Sequence, residues 1–163
     1  MPKIDLAGLE VTLPENWQIQ GMVTLTLPSP DPKVKPNIIL TREKLPQPMT
    51  LDVYFQKIKE AISRRGIKDF KVLQENRMTV GGVPAIQMIC VWDVGAMKAM
   101  MGPSSGPPPP KNQPPQLVKQ IQVTLLREDM TAVNLTASFP SDQFDLYNRP
   151  FQTFLKTLKF QET

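Results

Sequence analysis

Catalysis needs side chains that exchange protons, attack or hold a metal, and this chain is poor in all three. It has no histidine, which removes Ser-His-Asp and Cys-His arrangements, histidine metal sites and the commonest general base. Asp93 and the pair Glu128-Asp129 are the only carboxylates near expected strand ends, and nothing nucleophilic accompanies them. Ser104-Ser105 lies in a proline-rich stretch with no base within sequence reach. Gly81-Gly82 falls between two strands and lacks the strand-to-helix context of a phosphate-cradling loop. The single Cys90 sits in an apolar run and has no partner for an internal disulfide, which points to a reducing compartment. The expectation is a protein that is not an enzyme and takes no metal or cofactor.

What remains is recognition, and the stretch Gln116–Phe139 is built for it. It reads as two long strands joined at Glu128-Asp129-Met130. Ile121, Val123 and Leu125 share one face of the first strand, and Val133, Leu135, Ala137 and Phe139 one face of the second. Parity constrains the turn. A three-residue loop sets Leu125 opposite Val133, whereas a two-residue loop sets Val123 opposite Asn134 and spoils the apolar face. The opposite face carries Val118, Gln120, Gln122 and Thr124, then Asn134, Thr136 and Ser138, with no charge. A sheet face turned only to water usually collects Lys and Glu. Uncharged hydrogen-bonding groups cost little to bury when a partner supplies matching groups.

The elements that must position this hairpin follow from the same periodicities. Leu9–Leu13 is a short strand ending at Pro14, and Glu15-Asn16-Trp17 a turn that buries one aromatic. Met22–Leu27 alternates Val23, Leu25 and Leu27 against Met22, Thr24 and Thr26. Pro28–Pro36 is too proline-rich for regular structure, and Asn37–Glu43 is a strand. A helix follows, capped by Thr50, with Asp52 in its first turn. Leu51, Tyr54, Phe55, Ile58 and Ile62 form its inner stripe, and Gly66 its stop. Phe70–Val80 and Pro84–Val94 are strands hinged at Gly81-Gly82, with Ile86, Met88, Cys90 and Trp92 on one side of the second. Ala96–Pro115 holds seven of the 18 prolines and three of the nine methionines. It is expected to be a mobile loop, either a passive one or one in which Met97, Met100 and Met101 form an adaptable apolar clasp. Ser141-Asp142 opens a helical turn holding Phe144 and Tyr147, and Pro150 suits the start of a final helix whose inner side is Phe151, Phe154, Leu155 and Leu158.

The 163 residues, 40% hydrophobic, suffice for one domain, 1–163, with a proper core. The expected fold is α+β: an antiparallel sheet of about six strands, a helix after the third strand and a C-terminal helix. The net charge of +4 is scattered and does not cluster with aromatics, which argues against nucleic acid. The N-terminus has no apolar signal core, and no run of about 18 apolar residues exists; a cytoplasmic protein is expected.

Taken together, LEVTLPENWQIQ, the NIILTRE strand, the LDVYFQKIKEAI helix, the VGGVPAIQM hairpin and the closing PFQTFLKTL resemble the DcrB-related, PsbP-like group, and within it the Eag chaperones of type VI secretion. The resemblance runs nearly end to end and implies a PsbP-like α/β sandwich. It also implies a homodimer that holds the N-terminal transmembrane helices of a PAAR-containing effector until loading on the VgrG spike. The implied surface is the open face of the sheet, here Met22, Thr24, Ile39, Val118 and Gln122, with Ile67 at its rim. Gln120 and Thr124 join them from the uncharged face of the hairpin. A transmembrane helix needs apolar contact and a few side-chain hydrogen bonds, which such a face offers. Ile58 stands where the group can place a glutamine. The alternative is another binding module of the same fold with a different partner.

Overall fold

The computed structural model describes residues 3–6, 9–12, 14–15, 21–27, 36–67, 70–93 and 117–160. The Trp17 turn, the Pro28–Pro36 loop, apart from Pro36 itself, and the Ala96–Pro115 excursion lie outside them. Strands β1 (Lys3–Leu6) and β2 (Leu9–Thr12) pair only with each other, as an antiparallel ribbon. The sequence reading had not marked β1, because four residues offer too little alternation to count. The remaining strands are β3 (Gly21–Thr26), β4 (Asn37–Lys44), β5 (Lys71–Val80), β6 (Val83–Asp93), β7 (Leu117–Leu126) and β8 (Thr131–Pro140). They form one six-stranded antiparallel sheet in the order β3-β4-β8-β7-β6-β5. Helix α1 (Leu51–Arg64) follows β4, and helix α2 (Phe144–Thr157) follows β8. The α+β architecture and both helix positions are those expected; the unmarked β1 makes α1 follow the fourth strand in chain order.

The β7–β8 hairpin turns as parity requires. Leu125 pairs with Val133 and Leu126 with Ala132, while the Arg127 N–H donates to the Thr131 carbonyl and the Met130 N–H to the Arg127 carbonyl. Such a three-residue loop ends on a left-handed residue, usually glycine. Here it is Met130, at φ 64°. Two contacts hold the turn: the Thr131 N–H donates to Asp129 Oδ1 at 3.0 Å, and the Met49 N–H approaches Met130 Sδ at 3.4 Å. The Thr131 N–H bond also holds the Asp129 carboxyl below its usual range.

One face of the sheet is closed by α2. Ile121, Val123, Leu125, Leu135, Ala137 and Phe139 are sealed there against Tyr147, Phe151 and Leu155. Phe139 is the hub, with ring centroids of Tyr147 at 5.4 Å, Phe151 at 6.1 Å and Phe144 at 6.3 Å. This stripe corrects one expectation. Pro150 does not start the final helix but lies inside it. Phe144, Tyr147, Phe151 and Leu155 make one continuous packing line, and its burial outweighs the roughly 3 kcal/mol that an interior proline costs. The carbonyl deprived of its donor belongs to Leu146, which is 65% exposed.

The β5–β6 turn shows why two glycines stand together. Gly81 and Gly82 both have positive φ, 58° and 79°, as a two-residue hairpin turn demands. Only Gly81 is also crowded: a Cβ there would stand 3.1 Å from the Leu158 carbonyl oxygen and from the Phe160 ring, whereas at Gly82 it would meet nothing. Gly82→Ala is expected to cost about 1–2 kcal/mol of backbone strain, and Gly81→Ala more. Urea unfolding of the two variants measures the difference; equal costs would mean that residues 158–160 do not rest on this turn.

Candidate functional site

The second face of the sheet is only half covered. Thr50 caps α1, its Oγ1 accepting from the Val53 N–H at 3.3 Å, and Gly66 closes the helix at φ 61°. Phe55 packs on Ile86, Met88 and Cys90. Tyr54 packs with Leu126 and Ala132, where Ile58 also lies. Helix α1 therefore shields β6 and the turn end of β7–β8. Ile58, in the place where a glutamine was conceivable, is committed to this packing. Cys90 is fully buried under the helix, and burial pushes its thiol up to about 12, so it carries little thiolate chemistry.

A line of hydrogen bonds fixes the helix over the strands. The Tyr54 hydroxyl donates to Glu43 Oε1 at 2.6 Å and accepts from Asn134 Nδ2 at 2.9 Å. Thr124 Oγ1 donates to Asn134 Oδ1 at 2.9 Å. Burial first, and the Glu43 carboxylate second, push the Tyr54 phenol up to about 12. The network stays neutral in Tyr54 throughout the physiological range and works as a fastener.

Beyond the helix the face lies open, and the strand register turns it into a grid. One row runs Thr24–Ile39–Thr136–Gln122–Met88. The row on the α1 side runs Met22–Thr41–Asn134–Thr124–Ile86, and the row on the other side Thr26–Asn37–Ser138–Gln120–Cys90. From β3 to β6 no charged residue occurs in these rows; at the β5 edge, Glu75 stands beside Met88 and Arg77 beside Ile86. Met22 is 70% exposed, Thr24 is exposed, and Ile39, Gln122 and Gln120 are half-buried.

The amides of this face are partly committed to one another. Gln122 Nε2 donates to Gln120 Oε1 at 3.1 Å, and Gln120 Nε2 donates to Ser138 Oγ at 3.2 Å. Gln120 is therefore used within the sheet, while Gln122 keeps one N–H and its carbonyl oxygen for other bonds.

Of the residues singled out from the sequence, Met22, Thr24, Ile39, Gln120 and Gln122 come together on the open half. Thr124 shares the face but is 1% exposed, bonded to Asn134 beneath Tyr54. Val118 pairs with Pro140 and Trp92 at the far end of the face and is 4% exposed. In this arrangement neither offers surface. Ile67 follows the stop of α1, half-buried and outside the strand register. Thr41 and Thr136 belong to the grid and were not among the selected site residues; alternation puts Thr136 on the uncharged face of the hairpin, but setting Thr41 beside that face needs the β4–β8 pairing, which alternation within one strand does not reveal. Among the described residues no helix is long and apolar enough to cross a membrane, and no cluster of His, Cys, Asp and Glu could hold a metal.

Comparison with known proteins bears on the fold and the family. The crystal structure of PA94 from Pseudomonas aeruginosa, a protein of unknown function described as a candidate regulator, is similar with a TM-score of 0.73 and 15% identity. The match covers 100% of this chain and 99% of that one, and at such identity it shows the fold alone. The solution structure of the cyanobacterial PsbP protein CyanoP from Synechocystis is similar with a TM-score of 0.45 and 11% identity, over 82% of this chain and 78% of that one. No curated protein matches the sequence. The DcrB family model matches residues 9–101, a span that holds β2 to β6 with α1 and stops before the β7–β8 hairpin. That span is more than half of the 163 residues, and the chain belongs to the DcrB family.

Proposed function

We propose that this protein is a non-catalytic chaperone of the Eag kind. It binds the apolar N-terminal transmembrane helices of a PAAR-containing type VI effector in the cytoplasm and keeps the effector soluble for loading on the VgrG spike. The observation that carries this reading is the charge-free open half of the sheet. Met22 and Ile39 supply apolar contact, and Thr24, Thr136 and Gln122 supply hydrogen bonds beside it. A membrane helix brings its own backbone bonds already satisfied, so it asks of a partner just this mixture. A face meant for water alone would gain from charge; one meant for an apolar helix would lose by it. A homodimer, two copies enclosing the helices about a two-fold axis, fits the need to hide them from water on every side.

The test is affinity capture from the native host with identification of the bound protein, followed by light scattering of the complex. The reading requires a captured protein with apolar N-terminal segments and a PAAR domain, held by two copies of the chain. A partner lacking such segments would replace it with another binding module of this fold.

Gln122 provides a finer measurement. Its free N–H and carbonyl are expected to bond the client helix, so Gln122→Ala weakens the complex by about 1 kcal/mol, the net value of a neutral hydrogen bond. Calorimetric titration against the client's N-terminal segment reads this directly, and an unchanged dissociation constant would make Gln122 ordinary sheet surface.

A further inference from the structure

The opposite face of the sheet holds a second feature that this function does not use. Beyond the end of α2 the chain continues as Leu158–Phe160, which packs back toward the β5–β6 turn and leaves a cavity of about 290 Å³ between itself and the sheet. Leu40 and Val133 form its accessible floor, over the sealed Leu125 and Leu135, and Leu158 and Phe160 close one side. Three cations line it as well: Arg42, Arg127 and Lys159. Among the described residues none of the three makes an ion pair, although Arg127, with Lys44, adds to the Thr131 N–H bond in holding the Asp129 carboxyl below its usual range. The Arg127 guanidinium lies over the Phe160 ring, 4.6 Å from its centroid, so one of the charges is held at the apolar wall.

An apolar cavity lined by three cations, none of them in an ion pair among the described residues, suits a ligand with an anionic head and an apolar body. We infer that this cavity binds a single-chain anionic amphiphile of the fatty-acid class, its head against Arg42, Arg127 and Lys159 and its chain over Leu40 and Val133. Size and polarity select the occupant. The volume sits at the low end of the roughly 300–1,000 Å³ typical of ligand sites, which suits one alkyl chain and not a two-chain lipid. The floor consists of strand side chains whose backbone groups are already paired in the sheet ladders. A peptide inserted there would bury amides with nothing to bond, whereas an alkyl chain has none.

The experiment is displacement of a dansyl-labelled undecanoic acid by dodecanoate, below its micellar concentration, on the full chain. Dodecanoate is expected to displace the probe and dodecanol, with the same chain and no charge, to do so at least about tenfold less well, the scale of one charged hydrogen bond. Arg42→Gln combined with Lys159→Gln should weaken dodecanoate by about tenfold or more, and Leu40→Trp, which fills the cavity, should abolish it. Met22→Asp, on the other face, should leave it unchanged. Dodecyl phosphate run in parallel tells a carboxylate preference from a general one for anions, and either result keeps the site. Should Leu40→Trp fail to fold, the double charge variant and the dodecanol comparison still decide. Equal binding of dodecanol, indifference to the charge variant, loss of binding in Met22→Asp, or tighter binding of a short apolar peptide with a free carboxylate would each overturn the assignment.

Discussion

A Met22→Asp or Ile39→Asp chain is expected to fold as the parent does and to lose its client. Met22 is 70% exposed on the edge strand β3, so a carboxylate there is hydrated in the free protein and its cost stays within about 0.5 kcal/mol. In the complex the same carboxylate faces an apolar helix, and the one cation in its row, Arg77, stands on the opposite edge strand β5. An uncompensated buried charge costs roughly 3–5 kcal/mol, which corresponds to a loss of affinity of about two to four orders of magnitude. Urea midpoints check the first half, and titration with the client's N-terminal segment checks the second. A Met22→Asp protein that is fully folded and still copurifies with that segment would put the binding surface elsewhere.

The largest effect on stability is expected at Phe139. Its ring is fully buried and touches the rings of Phe144, Tyr147 and Phe151, so it ties α2 to the centre of the sheet. Truncation removes the transfer free energy of the ring and leaves a cavity that three further aromatics cannot all collapse into. Phe139→Ala is therefore predicted to cost about 3–5 kcal/mol, and urea unfolding with a far-ultraviolet and an aromatic probe measures it. A loss under about 1.5 kcal/mol would mean that α2 docks by some other contact. Leu146→Ala, on the exposed side of the same helix, serves as the control and should change stability by no more than about 0.5 kcal/mol.

How far the sequence can be read depends on the range of the interaction concerned. The β7–β8 hairpin was legible to the residue pair, because alternation and loop parity are local. The cap at Thr50 and the stop at Gly66 were legible for the same reason. Pro150 was misplaced because a local rule met a tertiary one: its backbone preference says helix start, and the Phe144–Tyr147–Phe151–Leu155 stripe says helix interior. At the candidate site, alternation assigned Gln122 and Thr124 to one face correctly. It could not separate the open Gln122 from the sealed Thr124, because that depends on where α1 crosses the sheet. The crossing is set by Tyr54 meeting Glu43 and Asn134, the second of them 80 residues away in sequence. Likewise the cavity beside Arg127 needs Leu158 and Phe160 brought to Leu40 and Leu135, which no periodicity announces.

The strand order carries a consequence for how the protein comes into being. Strand β4 reaches its place by pairing with β8, Asn37 with Ser138 through Lys44 with Thr131, so the first strands of the sheet wait for the last. Synthesis proceeds from the N-terminus, and pairings that close so large a loop form slowly. While the ribosome is still making β7 and β8, the row Thr24–Ile39–Thr136–Gln122 has only its first two members. The open face is thus absent until β8 has been made and paired with β4. Any partner that uses this face must meet a chain whose last strand is already in place, so the face cannot act while it is still being assembled.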